Sequence, residues 1–161
     1  MTQTSLMLSG AALTGSCTIP GDKSISHRSL ILSSHALGTT HIKGLLESED
    51  VKATAAALQK WGVVIRKSGN DWEVEGRGLA GLVESSDVMD CGNSGTSARL
   101  LMGLAAAYEF TTFFTGDASL RKRPMKRVIE PLTQMGARFT ASGEGTLPLA
   151  ITGGDLMPIE Y

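Results

Sequence analysis

The chain has 161 residues, with 15 lysines and arginines against 16 aspartates and glutamates, so its formal net charge is −1. With 42% hydrophobic and 19% charged residues it can bury the core of one domain, which excludes a disordered tail and a fibrous repeat. A near-neutral chain gives no reason to expect nucleic acid or a membrane as a partner, so a small ligand is expected. The two cysteines and three histidines show neither disulfide nor metal-ligand spacing, which predicts no metal site and a cytoplasmic location.

The first half of the chain predicts two helices, two strands and a hairpin from its apolar spacing and its turn residues. In chain order these are a strand at 16–20, a helix at 26–37, a strand at 40–45, a helix at 50–61 and a hairpin at 63–74. Gly62 is expected to end the second helix, because glycine readily adopts the left-handed conformation found there.

The second half predicts the same order of elements. They are a helix at 96–107, a strand at 111–115, a helix at 124–135 and two strands around residues 142–145. Pro124 is expected at the first position of the last helix, where a missing N–H costs nothing. The apolar residues of that helix are expected to form a buried stripe: Met125, Val128, Ile129, Leu132 and Met135.

The two halves match at offsets of 71 to 74 residues. The matching pairs are Arg28 with Arg99, Gly44 with Gly116, Lys52 with Lys126, Leu58 with Leu132, and Gly62 with Gly136. This repetition predicts a duplicated βαβαββ unit and an α/β fold, α+β-like, with mixed strands. The expected bounds are an N-terminal strand or crossover segment at 1–20, a first unit at 21–80 and a second unit at 81–161.

One candidate anion site lies at the first predicted helix start. Lys23, Ser24 and Arg28 place cations and a hydroxyl where backbone N–H groups are unpaired and the helix dipole is positive. His27 lies inside the segment and is expected to orient a neighbour rather than act as a general base. The alternative is ordinary serine capping beside a solvated lysine and arginine.

The matching segment at 92–99 repeats this composition. Its glycines, Gly95 among them, permit close backbone approach to a ligand, while Asn93 and Thr96 offer neutral hydrogen-bonding groups. Its spacing fits neither the Walker nor the Rossmann fingerprint. The alternative is a glycine-rich helix cap, and Arg99, one turn into the helix, is expected to be structural.

Five cations occur among the seven residues 121–127. Such a run is usually a solvated face. Arg123 is nevertheless the candidate ligand residue, because Pro124 is expected to fix a helix start beside it. Asp50 occupies the equivalent place in the first unit and is a candidate N-cap. No partner is predicted for His35 or His41.

Three segments resemble the bacterial type of the 5-enolpyruvylshikimate-3-phosphate (EPSP) synthase family. They read PGDKSISHR at 20–28, CGNSGTSAR at 91–99 and GDASLRKRPM at 116–125. The resemblance implies two lobes, each of three βαβαββ units in an inverse α/β barrel, with substrates bound between the lobes. The present sequence then corresponds to two of these six units, and both belong to one lobe.

The resemblance implies transfer of the carboxyvinyl group of phosphoenolpyruvate to shikimate 3-phosphate, without metal or organic cofactor. By position, Lys23 resembles the lysine that touches both substrates, while Ser24 and Arg28 resemble shikimate 3-phosphate contacts. Gly95 and Arg123 resemble phosphoenolpyruvate contacts, together with the weaker candidates Asn93 and Thr96.

The catalytic acids of the family belong to parts not matched by this sequence, so the chain alone is expected to lack turnover. The whole protein is expected to be a monomer, and two units alone are expected to self-associate through an exposed apolar face. Glycine rather than alanine at position 95 predicts sensitivity to glyphosate. The rival interpretations are a UDP-N-acetylglucosamine enolpyruvyl transferase and a non-catalytic anion-binding fragment.

Overall fold

The computed structural model describes Gly10 and residues 14–161. The helices of this part are α1 (Lys23–Ser34), α2 (Glu49–Lys60), α3 (Gly95–Ala105) and α4 (Lys126–Gln134), with a 3₁₀ turn at Leu120–Lys122. The strands are β1 (Leu37–Lys43), β2 (Val64–Ser68), β3 (Asp71–Arg77), β4 (Met89–Asp90), β5 (Thr111–Thr115), β6 (Arg138–Ser142) and β7 (Thr146–Thr152). The mixed α/β class is therefore confirmed. None of the helices in the described part is both long and apolar enough to span a bilayer.

The strands form two sheets with a shared plan. The first has the order β1-β3-β2 with antiparallel neighbours, and Val74 in its central strand pairs with Thr40 on one side and Ile65 on the other. The second has the order β4-β5-β7-β6, in which β4 runs parallel to β5 and the remaining neighbours are antiparallel. Because β5-β7-β6 repeats the order of β1-β3-β2, the duplication read from the sequence recurs in the topology.

One hydrophobic core joins the two sheets and their helices. Helix α2 packs against both α1 and α3, and its apolar residues Val51 and Leu58 are fully buried. At the centre, the rings of Trp61 and Phe114 meet edge to face, with centroids 6.3 Å apart. Such a pair adds about 0.5–1.5 kcal/mol beyond its buried area. The core therefore fixes the first helix of each half relative to the other.

Three helices begin at a side-chain cap. Asp22 accepts a hydrogen bond from the N–H of Ile25 at 2.7 Å, Ser48 from Val51 and Ser94 from Ser97. Each cap satisfies one N–H that would otherwise be unpaired at the helix start. Asp50 is therefore not the cap of α2, and its carboxylate is available for another contact.

Two predicted boundaries are wrong at the start of the chain. Residues 14–22 contain no strand, so the expected strand at 16–20 is absent and the fourth strand exists only in the second sheet. Helix α1 occupies Lys23–Ser34 rather than 26–37, because the Asp22 cap starts it three residues earlier and β1 begins at Leu37. The predicted unit bounds at 21–80 and 81–161 stay a prediction.

Helix α4 differs most from its prediction. It begins at Lys126, so Pro124 is not its first residue. The N–H of Met125, which helical geometry leaves unpaired, donates instead to the carbonyl of Gly145 at 2.9 Å. The expected buried stripe is also only partly buried: Met125 is inaccessible, Val128, Ile129 and Leu132 are half-buried against the core, and Met135 is half-buried.

Candidate functional site

The start of α1 is held by a close backbone approach. A Cβ on Gly21 would collide with the carbonyl oxygen of Gly44, so this position excludes any side chain. The Ser26 hydroxyl then donates to the carbonyl of Asp22 at 2.7 Å and accepts from the N–H of Leu46 at 2.9 Å. The turn before α1 is thus fixed against the turn after β1.

This turn presents Lys23 and Ser24 as the first two residues of α1, both exposed. Lys23 forms an ion pair with Asp50 of α2, with side chains 49% and 25% exposed. Arg28 lies one turn along the same helix, exposed, and donates to the carbonyl of Ser24 at 3.1 Å. The three predicted residues of the first segment therefore share one exposed surface at a helix start.

The second segment forms around a buried glycine at the start of α3. A Cβ on Gly95 would lie 2.7 Å from Nη1 of Arg99 and 3.3 Å from Nη1 of Arg123. The distance of 2.7 Å to Arg99 is shorter than real Cβ atoms essentially ever show. Only glycine therefore lets both guanidinium groups reach the start of α3.

The two arginines are used differently. Arg99 donates from Nη1 to the carbonyl of Gly95 at 3.1 Å and from Nη2 to that of Pro124 at 3.2 Å. Its expected structural role is consistent with both bonds. Arg123 reaches Gly95 from the loop before α4, with the extended backbone that a residue before proline favours. It therefore points to the start of α3 rather than that of α4.

Asn93 connects Arg123 to an acid that the sequence analysis did not select. Nη2 of Arg123 donates to Oδ1 of Asn93 at 2.6 Å, and Nδ2 of Asn93 donates to Oδ2 of Asp117 at 2.6 Å. The other Asp117 oxygen accepts from the N–H of Leu120 at 2.7 Å. The Asn93 hydrogen bond, followed by that backbone N–H, holds the pKa of Asp117 below its usual value.

A buried polar chain joins the starts of α1, α2 and α3. The Ser97 hydroxyl lies 3.0 Å from the carbonyl oxygen of Asp50 and 2.8 Å from the Thr54 hydroxyl. The Thr54 hydroxyl lies 2.8 Å from Nδ1 of His27. Burial lowers the pKa of His27, and nearby Lys23 lowers it further against the opposite effect of Asp50. His27 is thus a buried structural partner of Thr54, and the expectation that it orients a neighbour rather than acting as a general base stays a prediction.

An open cleft of about 380 Å³ lies between α2 and the loop before α3. Asp50 and Lys52 line one side, and Asp90, Gly92 and Asn93 line the other. Asp50 carries the ion pair with Lys23, and Asn93 the hydrogen bond to Arg123. The cleft therefore lies beside the partners of Lys23 and Arg123, and Asn93 is the predicted site residue that lines it. The charged lining of the cleft also includes the carboxylates of Glu49 and Asp90.

The remaining predicted residues are less engaged. Thr96 is half-exposed at the second position of α3, and its hydroxyl makes no hydrogen bond within residues 14–161. His35, for which no partner was predicted, lies 3.3 Å from the Tyr108 hydroxyl, and exposed His41 lies 3.4 Å from Glu73. Burial raises the pKa of Cys91 to about 12, which makes it an unreactive thiol.

Asp117 and Thr54 are the members of the site that sequence reasoning missed. Asp117 follows Gly116, a repeat-matched glycine, and that position was the available signal. For Thr54 the sequence offers no signal besides its place on the buried face of α2. In the described part, no cluster of three or more His, Cys, Asp or Glu side chains could hold a metal ion.

Comparison with known proteins relates this site to one enzyme family. The family model of EPSP synthase (3-phosphoshikimate 1-carboxyvinyltransferase) matches residues 8–161. A 3-phosphoshikimate 1-carboxyvinyltransferase of Paramagnetospirillum magneticum is 55% identical over 153 residues, which are 94% of this chain and 34% of the relative. The corresponding protein of Pelobacter propionicus is 54% identical over 153 residues, 94% of this chain and 36% of the relative.

Solved structures agree with the sequence relatives. The structure of EPSP synthase from Acinetobacter baumannii matches with a TM-score of 0.87 and 47% identity, over 91% of this chain and 34% of that one. The chain thus spans about a third of the length of the relatives that it matches. The matched fold, the identity of about half and the near-complete coverage lead to one conclusion: this chain belongs to the EPSP synthase family.

Proposed function

We propose that these residues form part of the substrate site of an enzyme that transfers the carboxyvinyl group of phosphoenolpyruvate to the 5-hydroxyl of shikimate 3-phosphate. One observation carries this proposal: cations lie at the starts of both α1 and α3, and these two helix starts are joined through Asp50 and Ser97. A site for two phosphorylated substrates needs two such anion-binding segments at a fixed separation.

The reaction explains why the separation must be fixed. In the addition step the hydroxyl oxygen loses its proton and bonds to the central carbon of phosphoenolpyruvate, while the methylene carbon gains a proton, which gives a tetrahedral intermediate. In the elimination step the bond between that central carbon and the phosphate oxygen breaks, inorganic phosphate leaves, and the methyl group loses a proton to restore the vinyl group. Both substrates are polyanions, so the site must offset their repulsion before hydroxyl and vinyl carbon can meet. Fixed cations perform that first task.

Each segment is assigned mainly to one substrate, and Lys23 is assigned to both. Lys23, Ser24 and Arg28 bind the phosphate of shikimate 3-phosphate, and the exposed surface that they share supports this. The phosphoenolpyruvate contacts are Lys23, Gly95, Arg123, Asn93 and Thr96, since the guanidinium of Arg123 meets the start of α3 there. A charge-assisted hydrogen bond contributes about 1.5–3 kcal/mol, so the side chains set the affinity and the helix starts set the position.

The protein is further proposed to act in the cytoplasm, as a monomer when whole, and without metal or organic cofactor. The chain by itself is proposed to bind substrate without turnover.

Amide-resolved NMR of the 161-residue chain tests the assignment. Shikimate 3-phosphate should shift residues 23–28 and phosphoenolpyruvate residues 93–99, both saturably. Arg28→Ala should weaken the binding of shikimate 3-phosphate by about tenfold or more, since it removes a charge-assisted hydrogen bond. Arg66→Ala, in the first sheet and paired with Glu75, is the matched control and should change nothing.

Two results would contradict the proposal. Absence of any shift at millimolar substrate would show that these residues do not form a binding site in this chain. Shifts at 23–28 with UDP-N-acetylglucosamine but not with shikimate 3-phosphate would favour the rival transferase. Substrate shifts without phosphate release would agree with a binding segment that lacks turnover.

A further inference from the structure

Arg123 and Lys23 meet their neighbours in different ways. Lys23 is ion-paired directly with Asp50, which offsets its charge. Arg123 instead donates from Nη2 to two neutral oxygens, Oδ1 of Asn93 at 2.6 Å and Oγ of Ser119 at 3.4 Å. Within residues 14–161, no carboxylate lies within ion-pair distance of Arg123, and its Nη1 and Nε make no hydrogen bond.

The carboxylate of Asp117 is connected to Arg123 only through the side chain of Asn93. Asp117 accepts from the Asn93 amide through Oδ2 and from the Leu120 N–H through Oδ1. The carboxylate can only accept hydrogen bonds, and the guanidinium can only donate them. Asn93, placed between the two, therefore has a single orientation, with its NH₂ towards Asp117 and its oxygen towards Arg123.

We propose that Asp117 is a positioning residue for Arg123 and acts through the Asn93 carboxamide. The carboxylate fixes the direction of the amide, and the amide oxygen fixes the guanidinium against Gly95 at the start of α3. A neutral group in between keeps the charge of Arg123 available to an anionic ligand, whereas a direct ion pair would neutralise it. The ligand identity, phosphoenolpyruvate, rests on the function proposed above.

The variant Asp117→Asn tests the orientation. An asparagine that still accepts from Leu120 must turn its NH₂ group towards Asn93. The Asn93 oxygen then turns to meet this new donor, and its own NH₂ faces Arg123, where donor meets donor. We expect rotation of the Arg123 guanidinium about Nε–Cζ, followed by NMR of the arginine side chains, to become at least several times faster. Phosphoenolpyruvate should bind about tenfold more weakly.

The exchange Asp117→Asn/Asn93→Asp separates position from charge. Asp at 93 accepts from both neighbours, so guanidinium rotation should return to the slow wild-type rate. A carboxylate now contacts Arg123 directly, so phosphoenolpyruvate affinity should remain low. Asp155→Asn, at an exposed carboxylate outside this cluster, is the control and should leave both measurements unchanged.

Guanidinium rotation and phosphoenolpyruvate affinity test separate parts of the proposal. If Asp117→Asn leaves guanidinium rotation unchanged, the positioning role is wrong, whatever the ligand. If the exchange restores both slow rotation and affinity, the charge-separating role of Asn93 is wrong. If rotation responds as expected while the wild type binds no phosphoenolpyruvate, the positioning role stands and the proposed ligand fails.

Discussion

The two halves of the chain carry opposite charges at two positions that the sequence repeat predicts to match, although Asp50 lies inside α2 and Arg123 lies before α4. The first half has Asp50 near the start of its second helix, where it pairs with Lys23 of α1. The second half has Arg123 before its second helix, where it meets the neutral Asn93. The charge of the residue beside each helix start decides whether that start is electrically compensated or open to an anion.

The second helices also differ in burial. Helix α2 packs against both α1 and α3, and Val51, Ala55 and Leu58 are buried. Helix α4 packs on α3 and β6 and buries no residue fully. The same sequence pattern thus carries more stability in one half than in the other, because burial depends on what covers the helix.

The matched pair Leu58→Ala and Leu132→Ala tests this difference most directly. Leu58 is fully buried, so its truncation should lower the free energy of unfolding by about 2–5 kcal/mol. Truncation of Leu132, its half-buried equivalent, should lower the free energy of unfolding by about 1 kcal/mol, because less apolar surface returns to water. Urea unfolding of both variants measures the two losses, and equal losses would contradict the unequal packing of the two helices.

Substitution at Gly95 tests the crowding at the open helix start. Gly95→Ala should weaken phosphoenolpyruvate binding about tenfold, because its methyl group would displace Arg99 and Arg123. The same crowding is expected to oppose glyphosate. Gly103→Ala, later in α3 with nothing within 4 Å of its Cβ, is the control. It should leave binding unchanged and stabilise the helix by about 0.5–1 kcal/mol. Titration calorimetry compares them, and equal binding by both variants would exclude crowding at Gly95.

The buried His27 that joins the halves predicts a pH dependence. Because burial lowers its folded pKa below the ordinary 6.5, the unfolded chain binds a proton below pH 6.5 that the folded chain does not. Stability is therefore full above pH 6.5 and falls as pH decreases below it. His27→Asn should flatten this part of the curve in urea unfolding at pH 5 to 8. The control variant His41→Asn, at an exposed histidine, should keep the pH dependence of the wild type. A wild-type slope in His27→Asn would show that His27 does not cause it.

The smallest expected effect is that of Asp50→Asn, which makes the first helix start resemble the second. Loss of an exposed ion pair should change the free energy of unfolding by less than about 1 kcal/mol. Inorganic phosphate should bind residues 23–28 severalfold more tightly at low salt, because Lys23 loses its counter-charge. NMR titration with phosphate measures this. Weaker binding would mean that Asp50 orients Lys23 rather than compensating its charge.

The sequence by itself determined the repeated strand order and the fold class, and it predicted the segments of the candidate site. Apolar spacing located α2, β5 and the two hairpins, because local side-chain periodicity reflects which face is buried. The glycines at 62 and 136 follow the ends of α2 and α4 with φ of 85° and 114°, as the repeat predicted. The cations beside helix starts likewise marked Lys23, Arg28 and Arg123 before any contact was known.

Only the tertiary structure decided how those residues are connected. Asp117 lies 24 positions from Asn93, and Ser97 lies 47 from Asp50, so neither contact leaves a local pattern. The start of α4 was misplaced for the same reason, since the N–H of Met125 bonds to Gly145, far along the chain. Spacing along a chain reports which face of an element is buried, but the partner across a turn or a sheet is set by topology and by the competition for each hydrogen bond.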